Sequence, residues 1–219
     1  MKDLTFTQEF FLCALRPKGS TALTNSIKSS TCLLSGMLLE LSMGGYIEID
    51  GENKVQIKNK TLSEQTYLTS LYHFIQKNKP MKVVKIAEKY AFDFKKPEEL
   101  FRLVGYSLVK GGYVAEEKGK GLLRNKVRFI PDAMEVSKVV EKIRAEFLEQ
   151  GVLTDEVVIL GVLLYKCGLI KKYFSKYEVQ KLRKRLKEVM QSDAGIFVKK
   201  LVDDIDTWFV IICSSGAGI

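Results

Sequence analysis

The segment 114–129 holds the residues whose types and spacing have the clearest chemical use. An apolar pair, Leu122-Leu123, stands between basic residues on both sides, namely Lys118, Lys120, Arg124, Lys126 and Arg128. Near an anionic leaflet each cation contributes on the order of 1 kcal/mol, and each fully buried Leu side chain contributes roughly 1.5 to 3 kcal/mol. The pattern predicts reversible attachment in which the cations bind anionic lipid headgroups and the leucines insert. The alternative is a solvated hairpin whose leucines pack on their own domain.

Residue types that could support catalysis are sparse. The chain has a single histidine, His73, so a nucleophile has no obvious partner base. Adjacent carboxylates on a helix point apart and cannot form an acid/base pair, which excludes Glu98-Glu99, Glu116-Glu117 and Asp203-Asp204. Neither a P-loop nor the glycine spacing of a dinucleotide site is present. We therefore predict no enzymatic activity and no cofactor.

The four cysteines also argue against a metal or redox site. They are far apart in sequence and form no CxxC pair, so we expect buried free thiols at Cys13, Cys32, Cys167 and Cys213. The N-terminus lacks the apolar region of a secretory signal. The longest apolar stretch, 157–165, has about half the length of a membrane-spanning helix. These features predict a cytoplasmic protein with a buried central helix and no metal.

Composition indicates a folded chain that favours polyanions. With 219 residues and 46% hydrophobic content, the chain can bury a substantial core. Its 35 Lys and Arg exceed its 26 Asp and Glu, which gives a formal net charge of +9. This excess favours contact with anionic lipid, nucleic acid or an acidic protein, and charge alone does not select among them.

Two similar units position the basic hairpin. In the first, an apolar helix over 33–41 meets Gly44-Gly45 and a hairpin over 46–57, whose turn centres on Asp50-Gly51. In the second, a helix that begins at Pro97 meets Gly111-Gly112 and leads into the basic hairpin. The two corners lie 67 residues apart (111 − 44). We predict an internal helix-hairpin pseudo-repeat over 30–57 and 97–130 within one domain spanning 1–219.

Helical patterns dominate the remainder of the chain. Thr5 or Thr7 is placed to cap a first helix, and after Pro131 four helices are predicted over 136–150, 155–170, 177–190 and 194–213. Gly151 and Gly168 are the expected stops. The predicted fold class is mainly α, a single compact helical domain with a buried central helix bundle and two small β-hairpins.

The order of these motifs resembles the Golgi phosphoprotein three family. Its opening pattern, Leu-Thr-x-x-Glu-Glu with a leucine run and Lys-Gly, is similar to 4–15 (LTFTQEFFLCAL) with Lys18-Gly19. Its helix-and-corner pattern is similar to 38–47 (LLELSMGGYI), and its second corner to 108–114 (LVKGGYV). Its later apolar and basic helices are similar to 159–169 (ILGVLLYKCGL) and 182–187 (LRKRLK). The matches are collinear over nearly the whole chain.

The resemblance implies a non-enzymatic peripheral membrane protein of the cytosolic face, with a hairpin that touches the membrane. Characterised members bind phosphatidylinositol 4-phosphate and act as adaptors for cytosolic tails of Golgi membrane proteins. The positions of the family's lipid-binding Trp and three Arg fall here at Asn25, Leu34, Glu98 and Phe101. None is preserved, and a Glu would repel a phosphate. The nearest cations, Lys28 and Arg102, are the remaining headgroup candidates, so we expect a divergent member that binds anionic lipid without headgroup specificity.

A winged-helix-like DNA-binding protein is the alternative from a different class. Paired helix-hairpin units with basic wings are suited to phosphate contacts. The helix that would enter the groove, 97–110, lacks the Arg, Asn and Gln cluster that contacts base edges. We therefore rank anionic membrane lipid first, nucleic acid second, and an adaptor without lipid contact third. Cytosolic tails of membrane proteins are the partners that the resemblance implies, and a homo-oligomer is left open.

Overall fold

The computed structural model describes residues 4–20, 26–58, 62, 66–91, 96–118, 127–149, 153–191 and 196–215. In this part of the chain the helices are α1 Phe6–Ala14, α2 Ser26–Met43, α3 Thr69–Lys77, α4 Val83–Ala91, α5 Lys96–Gly111, α6 Ala133–Leu148, α7 Asp155–Lys166, α8 Ile170–Tyr173, α9 Lys176–Gln191 and α10 Ile196–Ser215. The strands are β1 Ile47–Ile49, β2 Lys54–Ile57, β3 Met81–Lys82, β4 Val114–Lys118 and β5 Val127–Pro131. The fold is mainly α with two small antiparallel sheets, as the sequence predicted.

The core forms around α1, which contacts α2, α5, α6 and α7. Thr5 caps this helix through a capping box, because its hydroxyl accepts from the Gln8 amide while the Gln8 side chain accepts from the Thr5 amide. Of the two predicted candidates, Thr5 and Thr7, it is therefore Thr5 that caps α1. Thr7 is buried instead, and its amide donates to Glu40.

The apolar helix α7 lies inside the molecule. Its residues from Val157 to Leu164 are buried except for Gly161, which confirms the predicted central helix. It ends at Lys166, four residues earlier than predicted, because Gly168 adopts a φ of 78° and Leu169 donates back to the carbonyl of Leu164. The predicted stop at Gly151 lies outside the described residues. Among the helices of the described ranges, none has the length and apolar character needed to cross a membrane.

Both glycine corners have the same backbone geometry. Gly45 and Gly112 adopt φ values of 72° and 81°, which only glycine adopts at little cost. Tyr46 donates to the carbonyl of Leu41 at 2.9 Å, and Tyr113 donates to that of Leu108 at 3.0 Å. This is the Schellman closure of a helix end. Each corner turns the chain out of its helix and into a hairpin.

The two hairpins belong to different sheets. The first forms a sheet of order β1-β2-β3, in which β3 is a strand that the sequence analysis did not predict. Its turn follows Asp50, whose carboxylate accepts from the amides of Glu52 and Lys54, and the residue with positive φ is Asn53 rather than Gly51. The second sheet contains β4 and β5 alone, paired from Val114 with Pro131 to Lys118 with Val127.

Candidate functional site

The described stem of the second hairpin has no net charge. Glu116, Glu117 and Lys118 lie on β4, Arg128 lies on β5, and all four are exposed. Arg128 Nη1 lies 3.3 Å from Glu117 Oε2, with side-chain exposures of 49% and 54%. An exposed pair of this kind contributes little to stability, but it neutralises the strand pair locally.

The other predicted membrane-contacting residues are Lys120, Leu122, Leu123, Arg124 and Lys126. They belong to 119–126, which lies outside the described residues. By sequence this segment links Lys118 directly to Val127 and holds three basic residues, two leucines and no acidic residue. The positive charge of the hairpin is therefore concentrated beyond its neutral stem.

The stem is anchored to the core by Phe129 of β5, which is fully buried. Its ring centroid lies 5.2 Å from that of Phe101, 6.3 Å from that of Phe11 and 5.4 Å from that of Tyr106. Gly105 lets the ring approach α5, since a Cβ there would lie 2.2 Å from Phe129 Cε2. Aromatic packing of this kind fixes the direction in which the two strands leave the domain.

Three of the four positions that the resemblance assigns to the family's headgroup pocket lie within the described residues. Leu34 and Phe101 are 1% and 3% exposed, so their side chains belong to the core. Glu98 is exposed, and its Oε1 lies 3.1 Å from Nη2 of Arg102. Asn25 lies outside the described residues. A carboxylate beside Arg102 competes with any phosphate for that guanidinium.

The two remaining headgroup candidates have different neighbours. Arg102 pairs with Glu98 within α5. Lys28 is exposed near the start of α2. A hydrogen bond from Cys32 is the main cause that lowers the pKa of Cys167 at the end of α7, and the charge of Lys28 adds to it. The assignment of Lys28 and Arg102 as headgroup candidates therefore remains a prediction.

A partly buried polar network joins α1, α2 and the segment before α3. The Tyr67 hydroxyl donates to Glu40 and lies 2.6 Å from the Thr5 hydroxyl, while the Thr7 amide donates to Glu40 Oε1 at 3.1 Å. Burial, and then the Glu40 carboxylate, raise the pKa of Tyr67. No sequence pattern marks this network, because Tyr67 and Glu40 are 27 residues apart. It orders the N-terminal helix.

Three of the predicted buried thiols are buried in the structure, and Cys213 has no described side chain. Burial raises the pKa of Cys13 to about 12. Cys167 Sγ lies 3.0 Å from the Ser29 hydroxyl, and a hydrogen bond from Cys32 lowers the pKa of Cys167. Within the described ranges, no group of three or more His, Cys, Asp or Glu side chains is placed to hold a metal ion.

A cavity of about 560 Å³, which the sequence analysis missed, lies between α7, α9 and α10. Its walls are mostly apolar, and four basic residues line it together with one carboxylate. The available signal was the basic run 181–187, in which Leu182 and Leu186 mark the inward face of α9. That signal is ambiguous, because a charged outer face is the ordinary arrangement of a surface helix.

Comparison with known proteins tests the predicted resemblance. No curated protein matches the chain at a significant level. The family model described as Golgi phosphoprotein 3 (GPP34) matches residues 6–205, which includes both hairpins and α1 to α9. A match of this extent covers the collinear motifs on which the resemblance rests. The chain therefore belongs to the Golgi phosphoprotein 3 (GPP34) family.

Proposed function

We propose that this chain is a non-enzymatic peripheral membrane protein that docks on anionic lipid through the tip of its second hairpin. The observation that carries this proposal is the separation of charge along the hairpin. The stem is neutral and anchored by Phe129, whereas 119–126 adds three basic residues and two leucines. Each cation near an anionic leaflet contributes about 1 kcal/mol, so three of them with two inserted leucines suit reversible attachment.

The proposed attachment depends on surface charge rather than on one headgroup. Burial of Leu34 and Phe101 and the acidic side chain of Glu98 support this part of the proposal, since none of them can bind a phosphate. Family membership supports a location on the cytosolic face of a membrane, including that of the Golgi, and an adaptor role toward cytosolic tails of membrane proteins.

Co-sedimentation with liposomes tests the proposal. We expect the protein to pellet with vesicles of phosphatidylcholine and phosphatidylserine but not with phosphatidylcholine alone, and added salt should weaken pelleting because exposed charges are screened. Phosphatidylinositol 4-phosphate at equal surface charge should give no further increase. Tight, salt-sensitive DNA binding in a gel shift, without liposome binding, would favour the nucleic-acid alternative.

Matched variants test which residues contact the lipid surface. Reversing two tip charges in Lys120→Glu/Lys126→Glu should abolish pelleting, whereas Lys79→Glu/Lys82→Glu, beside the first hairpin, should leave most of it. Leu122→Ser/Leu123→Ser should also weaken pelleting, with a nearly unchanged melting temperature if the leucines are exposed in the free protein. A loss of several kcal/mol of stability would show instead that they pack on the domain.

A further inference from the structure

The cavity between α7, α9 and α10 has the size and lining of a small-molecule site. Its volume of about 560 Å³ lies within the range of roughly 300 to 1,000 Å³ that such sites span. Its floor consists of apolar side chains that are less than 9% exposed, namely Phe147, Val162, Ile170, Val179, Leu182 and Val202. A cavity with such walls binds water poorly, so an apolar ligand gains free energy by entering it.

The shape of the cavity follows one helix. Val179, Leu182, Leu186 and Met190 line it at spacings of three and four residues, which place them in one row along α9. The row runs over twelve residues, and its eleven steps span about 16.5 Å at the helical rise of about 1.5 Å per residue. One leaflet occupies half of the roughly 30 Å hydrocarbon core of a bilayer, so a single acyl chain has a comparable length.

The rim of the cavity is positively charged. Lys166, Arg183, Lys184 and Lys187 line it against one carboxylate, that of Asp206. Lys166 Nζ lies 2.7 Å from Asp206 Oδ1, so this pair is internally neutral. The Arg183 guanidinium lies 4.7 Å above the ring of Tyr165, which holds it at the rim. On α9, Lys184 Nζ lies 3.8 Å from Glu188 Oε1, a long and exposed pair that holds the lysine only weakly, so Arg183, Lys184 and Lys187 can still attract an anionic group.

We propose that this cavity binds one long-chain fatty acid. The acyl chain lies along the apolar row of α9, and the carboxylate is bound at the rim by Arg183, Lys184 and Lys187. A single row accommodates one chain, which favours a fatty acid over a two-chain phospholipid. The site is formed mainly by α7, α9 and α10, with Phe147 of α6 and Ile170 of α8 in its floor, so it is independent of the proposed attachment through the second hairpin.

Calorimetric titration with palmitate, below the concentration at which it forms micelles, tests the proposal. We expect one palmitate per chain. Lys184→Glu/Lys187→Glu should weaken binding by about tenfold, since it replaces two attractive charges by two repulsive ones. The matched control is Lys176→Glu/Lys181→Glu, which makes the same charge change on α9 outside the cavity lining and should change the affinity by less than about twofold.

A second variant tests the apolar contact. Leu186 is half-buried, so Leu186→Trp should fill the cavity and abolish palmitate binding while circular dichroism and the melting temperature stay close to those of the unchanged protein. The neutral analogue 1-hexadecanol should bind more weakly than palmitate and should be insensitive to the rim reversal. Absence of palmitate binding to the unchanged protein would overturn the proposal. An equal loss in both double variants would also overturn it, because binding would then depend on overall charge.

Discussion

The hairpin β1–β2 and the hairpin β4–β5 each follow a helix through a corner of the same geometry, but they contact different parts of the molecule. The closing hydrogen bonds, from Tyr46 to Leu41 and from Tyr113 to Leu108, differ by only 0.1 Å in length. The first hairpin continues into β3, and its turn is tied to two helices. Val83 donates to the carbonyl of Asn53, and Trp208 Nε1 donates to Asn53 Oδ1 at 3.0 Å.

The second hairpin is fixed at its base. Phe129 holds β5 in the core, and Ser20 exchanges two backbone hydrogen bonds of 2.9 Å with it. Beyond Lys118 and Val127 the chain enters the basic segment 119–126. The same corner therefore leads to two different settings. The first hairpin is hydrogen-bonded to α4 and α10 at its turn, whereas the described contacts of the second hairpin lie at its base.

The largest effect is expected where the second hairpin meets the core. Phe129→Ala should lower the free energy of unfolding by about 3 to 5 kcal/mol, because it removes a fully buried ring that packs on three others. Urea denaturation measures this loss. Val127→Ala, on the same strand but half-buried, should cost roughly 1 kcal/mol. Similar losses in the two variants would mean that Phe129 is not the anchor.

Substitution of the glycine at one corner should have a smaller effect on stability. Gly112 has a φ of 81° with nothing within 4 Å of an added Cβ, so Gly112→Ala should cost about 1 to 2 kcal/mol through backbone conformation alone. Gly51 is equally open but does not require a positive φ. Gly51→Ala should therefore change stability by less than about 0.5 kcal/mol. Thermal unfolding of both variants checks the difference, and equal values would contradict it.

The hydrogen bond between the first hairpin and α10 should contribute still less to the free energy of unfolding. Trp208→Phe keeps a large ring but removes the donor to Asn53, which should cost about 0.5 to 1.5 kcal/mol. A double-mutant cycle with Asn53→Gly, which tolerates the φ of 59°, isolates the hydrogen bond. Liposome pelleting should not change, since the second hairpin is unaffected. A coupling energy near zero would show that the hydrogen bond from Trp208 to Asn53 does not stabilise the first hairpin.

The smallest effect is expected for the exposed ion pair of Glu52 and Lys54, which lies at the turn of the first hairpin. The hydrogen bond from Lys54 lowers the pKa of Glu52 from its ordinary 4.5. A pKa lowered by folding means that the pair stabilises the protein above pH 4.5, and that this contribution is lost as the pH falls through the lowered value. Carboxyl chemical shifts in an NMR titration measure the pKa. Lys54→Met should return it toward 4.5, and an unchanged pKa would exclude Lys54 as the cause.

The candidate membrane site could be predicted only in part. The basic and apolar pattern of 114–129 is visible in the sequence, and so is the loss of the family's headgroup ligands at Leu34 and Glu98. The pairing of Arg128 with Glu117 cannot be read from the sequence, because it depends on the strand register. The cavity beside α9 was missed, since its walls come from five helices and no single segment marks it.

Features that arise from neighbouring residues could be read from the sequence alone. A cap at Thr5 or Thr7, the two glycine corners, the turn near Asp50-Gly51 and the buried helix α7 each depend on hydrogen bonds or periodicity within a few positions. Only the folded structure shows that Thr5 is the cap, that β3 pairs with β2, that Asn53 accepts from Trp208, and that five helices leave a cavity between them. These contacts join residues far apart in the chain, so their formation depends on how all the apolar surfaces pack together.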